Sequence, residues 1–338
     1  MVATLSRHSF FSLKNEKPKV SNKGGQLFAV TAEEMPGLVN ISFEHLSLKK
    51  GGFLMPIWHP NAHKLGYCIE GKCLITMRTP DQTEVFSVEQ GEMFFIPQGF
   101  VHQIQNIGES ECIIPFALSH TRPEVMSFAK AVGTLSDPVF TATFNSSPGF
   151  VGKLKTISHE ELITTLSKIK NVPNKLENDY KFGIEKSEKV IATKGGYLQL
   201  GIKKVFPNLQ NLGILGFGLT PGGVVEPHWH TNAGELIYIV KGKTRITIFS
   251  PDGHVENLEV NGGEGAFAPA SHFHNIENIG QEDVEVIAFF SHADPDYIGI
   301  GEVTGAFSND ELSTIFNVDP HYFDPLNKPQ KPLVIVPI

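Results

Sequence analysis

Cysteine is scarce in this chain. The 338 residues include three, Cys68, Cys73 and Cys112, all in the first half. An odd and sparse set in a chain of this length does not make a disulfide framework. We interpret these side chains as small buried apolar groups rather than as ligands or nucleophiles.

Long hydrophobic runs and an excess of positive charge are also missing. Arg7, Lys14 and Lys17 interrupt the apolar residues of the N-terminus, which excludes a signal-peptide core, and no stretch reaches transmembrane length. We therefore expect a cytoplasmic protein without a membrane partner. The formal net charge is −8 and no basic stripe occurs, which argues against a nucleic-acid partner.

The residues that are plentiful suit a protein rich in strands and turns. The chain has 32 glycines, 22 prolines and 25 phenylalanines, and 41% of its residues are hydrophobic. Short alternating segments such as 246–249, Ile-Thr-Ile-Phe, are typical of half-buried strands, and 251–253, Pro-Asp-Gly, is typical of a hairpin turn. The length favours two domains of ordinary size.

The second half of the chain repeats the first. The segment 56–59, Pro-Ile-Trp-His, recurs at 227–230 as Pro-His-Trp-His, a shift of 171 residues. Gly91 matches Gly263 with a shift of 172, which indicates that one residue has entered the hairpin after Asp252. A constant register over so much sequence indicates two tandem copies of one domain.

We predict an N-terminal domain over 1–155, a helical linker over 156–174 and a C-terminal domain over 175–338. The linker is predicted to be helical because Ser158 and Glu161 fit a capping box, and Pro173 follows the segment.

Other local elements follow from the same patterns. Each copy is expected to begin with an extended arm, 11–30 and 180–203. Each is expected to end its strands with a short helix, 123–132 and 309–316.

One stretch, 221–242, carries the candidate chemistry. His228 and His230 are two residues apart, so on a strand both side chains point to one face. Glu235 follows a turn-prone Thr-Asn-Ala-Gly segment, and His274 follows the turn at Pro269. Three imidazoles and one carboxylate make a four-ligand site for a divalent metal, with positions left for water or substrate.

This spacing resembles the two signature motifs of the cupin superfamily. The residues that carry the resemblance are Gly222, His228, His230, Glu235 and Gly242, then Gly263, Pro269, His274 and Asn278. One departure is Ser271, at a turn where the family usually has glycine. The resemblance implies an all-β fold of two tandem double-stranded β-helix, or jelly-roll, barrels with short flanking helices, that is, a bicupin.

The first copy retains only part of the metal pattern. His59 and His102 are kept, but Ile57 replaces the first histidine and Lys64 replaces the glutamate. A lysine ammonium beside two imidazoles repels a divalent cation and takes up the space of the metal. We expect a metal-free first barrel that serves folding and assembly. The alternative is that His63 joins His59 and His102 as a ligand, although His63 aligns with a turn glycine in the second copy.

Three further histidines are interpreted as structural. His120 and His292 are matched copies at strand ends, and His272, whose counterpart is Phe100, is expected to pack beside the site or to support a ligand.

Over nearly its whole length the chain resembles the bicupin oxalate decarboxylases, and more distantly the germins and seed storage globulins. The segment 226–233, Glu-Pro-His-Trp-His-Thr-Asn-Ala, and the Phe-Asn pairs at 144–145 and 316–317 carry this likeness. It implies octahedral Mn(II) on His228, His230, Glu235 and His274, with two open positions. Oxygen and nitrogen donors without thiolate suit Mn or Fe, and Ni, Co or Zn are alternatives.

Three departures from the decarboxylases bear on the reaction. At the position where the family carries an arginine that pairs with substrate, this chain has Val225. The decarboxylases carry a glutamate on a flexible lid, where it serves as proton donor, and this chain has no clear counterpart. Glu124, Asp294 and Asp296 are weak candidates for that role. The family usually holds metal in both barrels and ties activity to the N-terminal one, which is the altered copy here.

The surroundings of the metal are expected to be apolar, with Val224, Val225, Ile237, Ile239 and Phe267 nearest. The nearest positive side chains, Lys241, Lys243 and Arg245, are expected to reach solvent.

Two classes of function remain open. One is a metal-dependent decarboxylase- or oxidase-type enzyme acting on a small carboxylate or oxygenated molecule, which the intact ligand set favours. The other is a non-catalytic metal-binding, ligand-binding or storage-like protein, which the missing arginine favours. A cupin dioxygenase or isomerase is a further alternative. The resemblance also implies a homo-oligomer, a trimer or hexamer, to which the apolar tail 332–338 could contribute.

Overall fold

The computed structural model describes residues 9–147, 161–166, 178–326, 328–329 and 331–338. The chain divides into two compact units. Unit I comprises residues 16–34 and 40–186, and unit II comprises 1–15, 35–39 and 187–338.

Strands dominate the described residues, which confirms the all-β prediction. The strands of the first half are β1 (Phe10–Ser12), β2 (Val20–Asn22), β3 (Gly25–Val30), β4 (Ser42–Leu48), β5 (Gly52–Trp58), β6 (Lys64–Tyr67), β7 (Lys72–Arg78), β8 (Thr83–Glu89), β9 (Glu92–Ile96), β10 (Val101–Asn106), β11 (Cys112–Leu118), β12 (Met126–Ser127) and β13 (Ile163–Thr165). Those of the second half are β14 (Lys181–Gly183), β15 (Lys189–Thr193), β16 (Gly196–Gly201), β17 (Gly213–Leu219), β18 (Gly223–Trp229), β19 (Glu235–Lys241), β20 (Lys243–Phe249), β21 (Val255–Asn261), β22 (Glu264–Ala268), β23 (Phe273–Asn278), β24 (Val284–Phe290), β25 (Ile298–Gly299) and β26 (Ile335–Pro337). The helices are α1 (Phe128–Gly133), α2 (Asp137–Phe144), α3 (Ile300–Gly305) and α4 (Asn309–Phe316), and a 3-10 helix spans Pro320–Phe323.

Each unit contains two antiparallel sheets. In unit II one sheet has the order β1-β22-β19-β24-β17-β16-β15 and the other β21-β20-β23-β18-β25, with β26 also on β18. In unit I the orders are β14-β9-β6-β11-β4-β3-β2 and β12-β5-β10-β7-β8, with β13 also on β5. Apolar side chains from both sheets of a unit form its core, as expected for a jelly-roll.

The sheet registers confirm the duplication. His102 pairs with Ile57 in unit I, and His274 pairs with His228 in unit II. The turn between β7 and β8 covers 79–82, whereas the turn between β20 and β21 covers 250–254, so the extra residue lies in the predicted hairpin.

The first strand of each copy completes a sheet of the other copy's unit. β1 pairs with β22 in unit II, and β14 pairs with β9 in unit I. The units therefore differ from the predicted boundaries of 1–155 and 175–338, because sequence comparison aligns the two arms but does not show which sheet edge each arm joins.

The predicted helical linker is wrong for the part that the structure describes. Its residues 158–160 and 167–174 lie outside the described residues, but Ile163–Thr165 is strand β13, paired with β5. β26 pairs with β18 at the matching positions, since Ile163 faces Leu54 and Ile335 faces Val225. The β-branched run Ile-Thr-Thr was the signal for this strand.

The flanking helices agree with the prediction in part. Helix α4 spans the predicted 309–316, and Ser308 caps it: the Ser308 hydroxyl accepts from the Glu311 amide, and the Glu311 carboxylate accepts from the Ser308 amide. The helix predicted over 123–132 begins only at Phe128, because residues 126–127 pair with β5 as strand β12.

The predicted roles of the cysteines and of the C-terminal tail can be compared directly. All three cysteines are buried and free of disulfides, as expected. The tail packs against its own unit through β26. Among the described residues, no helix is long and apolar enough to cross a membrane.

A buried asparagine stabilises the turn after β23. The Asn278 amide nitrogen donates to the carbonyl oxygens of Leu219 and Glu282, at 2.8 and 2.9 Å, and its oxygen accepts from the Gly280 amide. Asn106 makes the matching bonds in unit I. This geometry explains why an asparagine closes the second motif of both copies.

We expect Asn278→Ala to lower the free energy of unfolding by about 2–3 kcal/mol, because two buried carbonyl groups lose their donor. Asn275→Ala, at a partly exposed position of the same strand, is the control and should change it by less than about 1 kcal/mol. Urea unfolding followed by circular dichroism measures both. Equal effects would show that burial of the amide does not matter.

Candidate metal centre

The four predicted ligands come from three strands of unit II. His228 lies on β18 with His230 just beyond its end, Glu235 begins β19, and His274 is on β23. All four are buried, and one donor atom from each lies within 4.8 Å of every other. Among the described residues, these four form the group of histidine, cysteine, aspartate or glutamate side chains that is placed to hold a metal ion.

The donors converge on one carboxylate oxygen. Glu235 Oε2 lies 2.8 Å from His274 Nε2, 3.0 Å from His230 Nε2 and 3.7 Å from His228 Nε2. The Nε2 atoms of His228 and His230 are 3.2 Å apart.

Backbone carbonyl groups fix the orientation of all three rings. Nδ1 of His228 donates to the carbonyl of Glu226 at 2.7 Å, Nδ1 of His274 donates to that of His272 at 2.8 Å, and Nδ1 of His230 donates to that of Asp296. A carbonyl oxygen only accepts, so each Nδ1 carries the proton. In the neutral ring, Nε2 then presents a lone pair to the centre of the group.

This donor set fits a divalent cation. Three nitrogen lone pairs that face one carboxylate oxygen at 2.8–3.7 Å repel it unless a positive charge lies between them. Imidazole nitrogen and carboxylate oxygen suit Mn, Fe and the other metals named above.

The electrostatics of the group agree with a neutral His228 ring. Burial, followed by the neighbouring His274, lowers the pKa of His228 to about 4.

A cavity of about 190 Å³ opens beside three of the four ligands, His228, His230 and Glu235. Most of its wall is apolar and comes from the two sheets and the C-terminal tail: Leu198, Leu200, Ile202, Leu215, Phe217, Val225, Phe290, Pro295, Pro332, Val334 and Ile335. Tyr297 is the remaining lining residue. The predicted apolar surroundings are thus present, but of the five residues expected there only Val225 is among the lining residues.

A β-bulge explains how Val225 reaches the cavity. The register between β18 and β23 shifts between Val225 and His228, so these residues, three apart, both line the cavity. Simple alternation along a strand would have placed them on opposite faces.

No lysine or arginine is among the described residues that line the cavity. Arg245 pairs with Glu277 at 3.2 Å and Lys243 pairs with Glu259 at 2.7 Å, while Lys241 is exposed. These cations belong to the surface, as expected, and do not supply the role of the missing arginine.

Tyr297 was missed by the sequence analysis. Its ring stacks on the His228 ring, with centroids 4.5 Å apart and an angle of 16° between the planes. Burial raises the pKa of the phenol, and the nearby carboxylates of Glu226 and Glu235 raise it further, so it stays protonated. Its counterpart in the first copy is Val125, and this difference was the available signal.

The weak proton-donor candidates have exposed side chains. Glu124, Asp294 and Asp296 all lie at the surface, and the Asp296 carboxylate accepts from the Thr231 hydroxyl at 2.8 Å. The contribution of Asp296 to the group comes from its backbone carbonyl, which orients His230. Glu124 does the same for His59 in unit I, at 2.8 Å.

In unit I the corresponding position holds an ion pair. Lys64 is 1% exposed, and its Nζ lies 2.6 Å from Glu44 Oε2 and 4.3 Å from the centre of the Phe116 ring. Burial would raise the pKa of Glu44, but the Lys64 ammonium outweighs it and lowers that pKa. Burial and then Lys64 lower the pKa of His59 to about 4 and that of His102 well below its usual value.

The Nδ1 atom of His63 accepts a hydrogen bond, whereas that of each ligand histidine in unit II donates one. His63 Nδ1 accepts from the Gln98 amide at 3.0 Å, and its ring stacks on Phe95 with centroids 5.4 Å apart. No metal-holding group that includes His59, His63 and His102 occurs among the described residues.

A family model described as Cupin matches the chain twice, over residues 11–150 and 182–322. Oxalate decarboxylase OxdC of Bacillus subtilis (strain 168) is 25% identical over 331 residues, covering 92% of this chain and 83% of that protein. Germin-like protein subfamily 2 member 2 of Arabidopsis thaliana is 28% identical over 160 residues, covering 45% of this chain and 73% of that protein.

Solved structures show the same fold. A structure from work on the Mn(II) centres of Bacillus subtilis oxalate decarboxylase has a TM-score of 0.86 and 21% identity, covering 98% of this chain and 89% of that chain. The structure of that enzyme at pH 4.6 has a TM-score of 0.85 and 21% identity, covering 98% and 87%.

We expect His274→Ala to weaken metal binding at least a hundredfold, because it removes one of four converging donors. His272→Ala is the matched control two residues away: it keeps the backbone carbonyl that orients His274 and should change affinity less than about threefold. Competition with a metal-sensitive dye measures both. Equal losses in the two variants would contradict the assignment of His274 as a donor.

Proposed function

The chain belongs to the cupin family, with two copies of the domain, and we propose that it is a metal-dependent enzyme related to the oxalate decarboxylases. Its substrate is a small carboxylate or oxygenated organic molecule, and its single working site is in unit II. The observation that carries this proposal is the convergence of His228, His230, Glu235 and His274 on one point.

These four residues would hold the metal. When bound, a divalent ion of Mn or Fe supplies Lewis-acid activation of a bound oxygen and access to one-electron chemistry. Mn(II) is the first choice because a structural neighbour, a Bacillus subtilis oxalate decarboxylase, has Mn(II) centres. Fe, Ni, Co and Zn are alternatives that the same donors accept.

The chain's own residues would position and shield the substrate. Carbonyl groups keep the three imidazoles aimed at the centre, so little reorganisation is needed when a ligand enters. The apolar wall, including Phe217 and Phe290, excludes water and strengthens every polar interaction inside. The Tyr297 ring stacks on the His228 ring and helps to hold it in place.

A non-catalytic metal- or ligand-binding protein is the second candidate. The observation that favours it is the lack of a cation among the described lining residues, together with the exposure of Glu124, Asp294 and Asp296. Such a site would bind a ligand without a group that moves protons during decarboxylation.

The homo-oligomer and the cytoplasmic location stay predictions. The flanking helices leave apolar side chains exposed, such as Ile315 and Phe316, each more than 60% accessible, which supports self-association. A trimer or hexamer is the assembly that the resemblance predicts.

We expect the Mn(II)-loaded protein to convert at least one member of a panel of small mono- and dicarboxylates, with and without oxygen. NMR of the products and an oxygen electrode measure turnover. His230→Ala should lower it at least a hundredfold, because a ligand is lost, whereas His272→Ala should retain it. A protein that binds one metal per chain and transforms nothing in the panel would contradict the enzyme and support the binding protein.

A further inference from the structure

The balance of charge in the unit II site limits what it can bind. A divalent metal offsets the carboxylate of Glu235 and one further negative charge, and Glu226 is a second buried acid whose carboxylate lies near Tyr297. A monoanionic ligand therefore adds the smaller negative charge to the site. A dianion such as oxalate would place a larger uncompensated charge against an apolar wall, and burying such a charge is costly.

The position at which the cavity lacks a cation is Val225. Val225 lines the cavity and is 7% exposed, so its isopropyl group lies where the resemblance to the decarboxylases places an arginine. A guanidinium there would balance a second carboxylate by paired hydrogen bonds. Valine instead offers contact to carbon.

The size of the cavity sets the size of the ligand. An engineered protein cavity of about 150 Å³ with a similar apolar wall holds benzene. The space of about 190 Å³ in unit II therefore suits a ligand of roughly seven to ten non-hydrogen atoms, larger than oxalate. Leu200, Phe217 and Phe290 give its wall aliphatic and aromatic contacts.

Tyr297 adds an aromatic ring to the wall of the cavity. Its hydroxyl is buried, and the nearby Glu226 carboxylate interacts with it. The contribution of Tyr297 to a bound ligand is therefore contact with the ring.

We propose that the ligand of unit II is a small monocarboxylate with an apolar body and a second oxygen, such as a branched-chain or aromatic 2-oxo or 2-hydroxy acid. Resting on the proposed metal site, this assignment places the ligand's oxygens at the metal and its apolar body against Leu200, Phe217 and Val225. Oxalate is a poor ligand.

Titration of the Mn(II)-loaded protein, followed by electron paramagnetic resonance and water-proton relaxation, tests this without requiring turnover. We expect 4-methyl-2-oxopentanoate to bind at least tenfold more tightly than oxalate. Val225→Arg should reverse this order, while Val225→Met, of similar bulk without charge, should not. If Val225→Arg does not fold, the ranking in the wild type decides.

The failures are distinguishable. Tighter binding of oxalate by a metal-loaded wild type would overturn this proposal and leave the metal-dependent function standing. Failure of the wild type to bind metal at all would overturn the proposed function itself.

A separate observation concerns unit I. Ile57, Lys64 and His102 have the same strand partners as His228, Glu235 and His274 in unit II. Glu44 pairs across from Phe116 as Leu215 pairs across from Ala288, its matched position. Lys64 in place of glutamate and Glu44 in place of leucine therefore put a cation and an anion together on a backbone that the two units share.

The remaining donors in unit I lack partners. Nε2 of His59 and Nε2 of His102 are buried without a hydrogen bond among the described residues, and both rings keep the Nδ1 bond to a backbone carbonyl. Lone pairs are still aimed inward, and the nearest buried cation that the structure shows is the Lys64 ammonium, 2.6 Å from Glu44.

We infer that the Lys64–Glu44 pair stands in for the metal of unit I, so that this unit folds without one and retains a latent metal site. In a His230→Ala background, which silences unit II, the triple change Ile57→His, Lys64→Glu and Glu44→Leu should raise bound metal from none to about one per chain. Metal bound in unit I of the background alone would overturn the inference.

Thermal unfolding gives a second readout. Lys64→Met should lower the unfolding midpoint by more than Lys72→Met, a control that removes a partly exposed pair with Glu89, and adding Glu44→Leu should recover most of the loss. Equal shifts for Lys64→Met and Lys72→Met, or no recovery, would show that the pair is not a buried substitute for the metal.

Discussion

The unit II site depends on three hydrogen bonds between histidine rings and the backbone. Each Nδ1 donates to a carbonyl group whose position is set by the strands or by the segment before β25. The rings can then present only lone pairs to the interior, where Glu235 already lies. Most of the remaining cavity wall is apolar and offers little to relieve that repulsion. A metal cation is the simplest group that completes the site.

The two copies carry different charges at matching positions of the same fold. In unit II, negative and lone-pair donors surround a place for a cation. In unit I, the cation is covalently part of the chain, and Glu44 balances it. Breaking a buried pair by removing one partner typically costs about 3–5 kcal/mol, so the two changes at Lys64 and Glu44 depend on each other. We propose that this asymmetry separates a folding role in unit I from ligand chemistry in unit II.

Much of this was predictable from the sequence, for physical reasons. The ligand set was predicted because strand periodicity and turn residues place His228, His230, Glu235 and His274 together, and the duplication followed from constant register. The bulge beside Val225 was not predictable, since one irregular residue pair leaves no periodic trace. Strand β13 was hidden by a capping-box pattern, and Tyr297 by its position in a segment without regular structure. The partner of Lys64 required knowledge of which strands are neighbours, because Glu44 lies 20 residues away in sequence.

The most direct test is the number of metal ions per chain in purified, reconstituted protein, measured by elemental analysis for the wild type and for His230→Ala. The account predicts about one equivalent of Mn or Fe in the wild type and essentially none in the variant. Two equivalents in the wild type would contradict the assignment of Lys64 and Glu44 as a substitute for metal in unit I. No metal in the wild type would contradict the central claim that unit II is a metal centre.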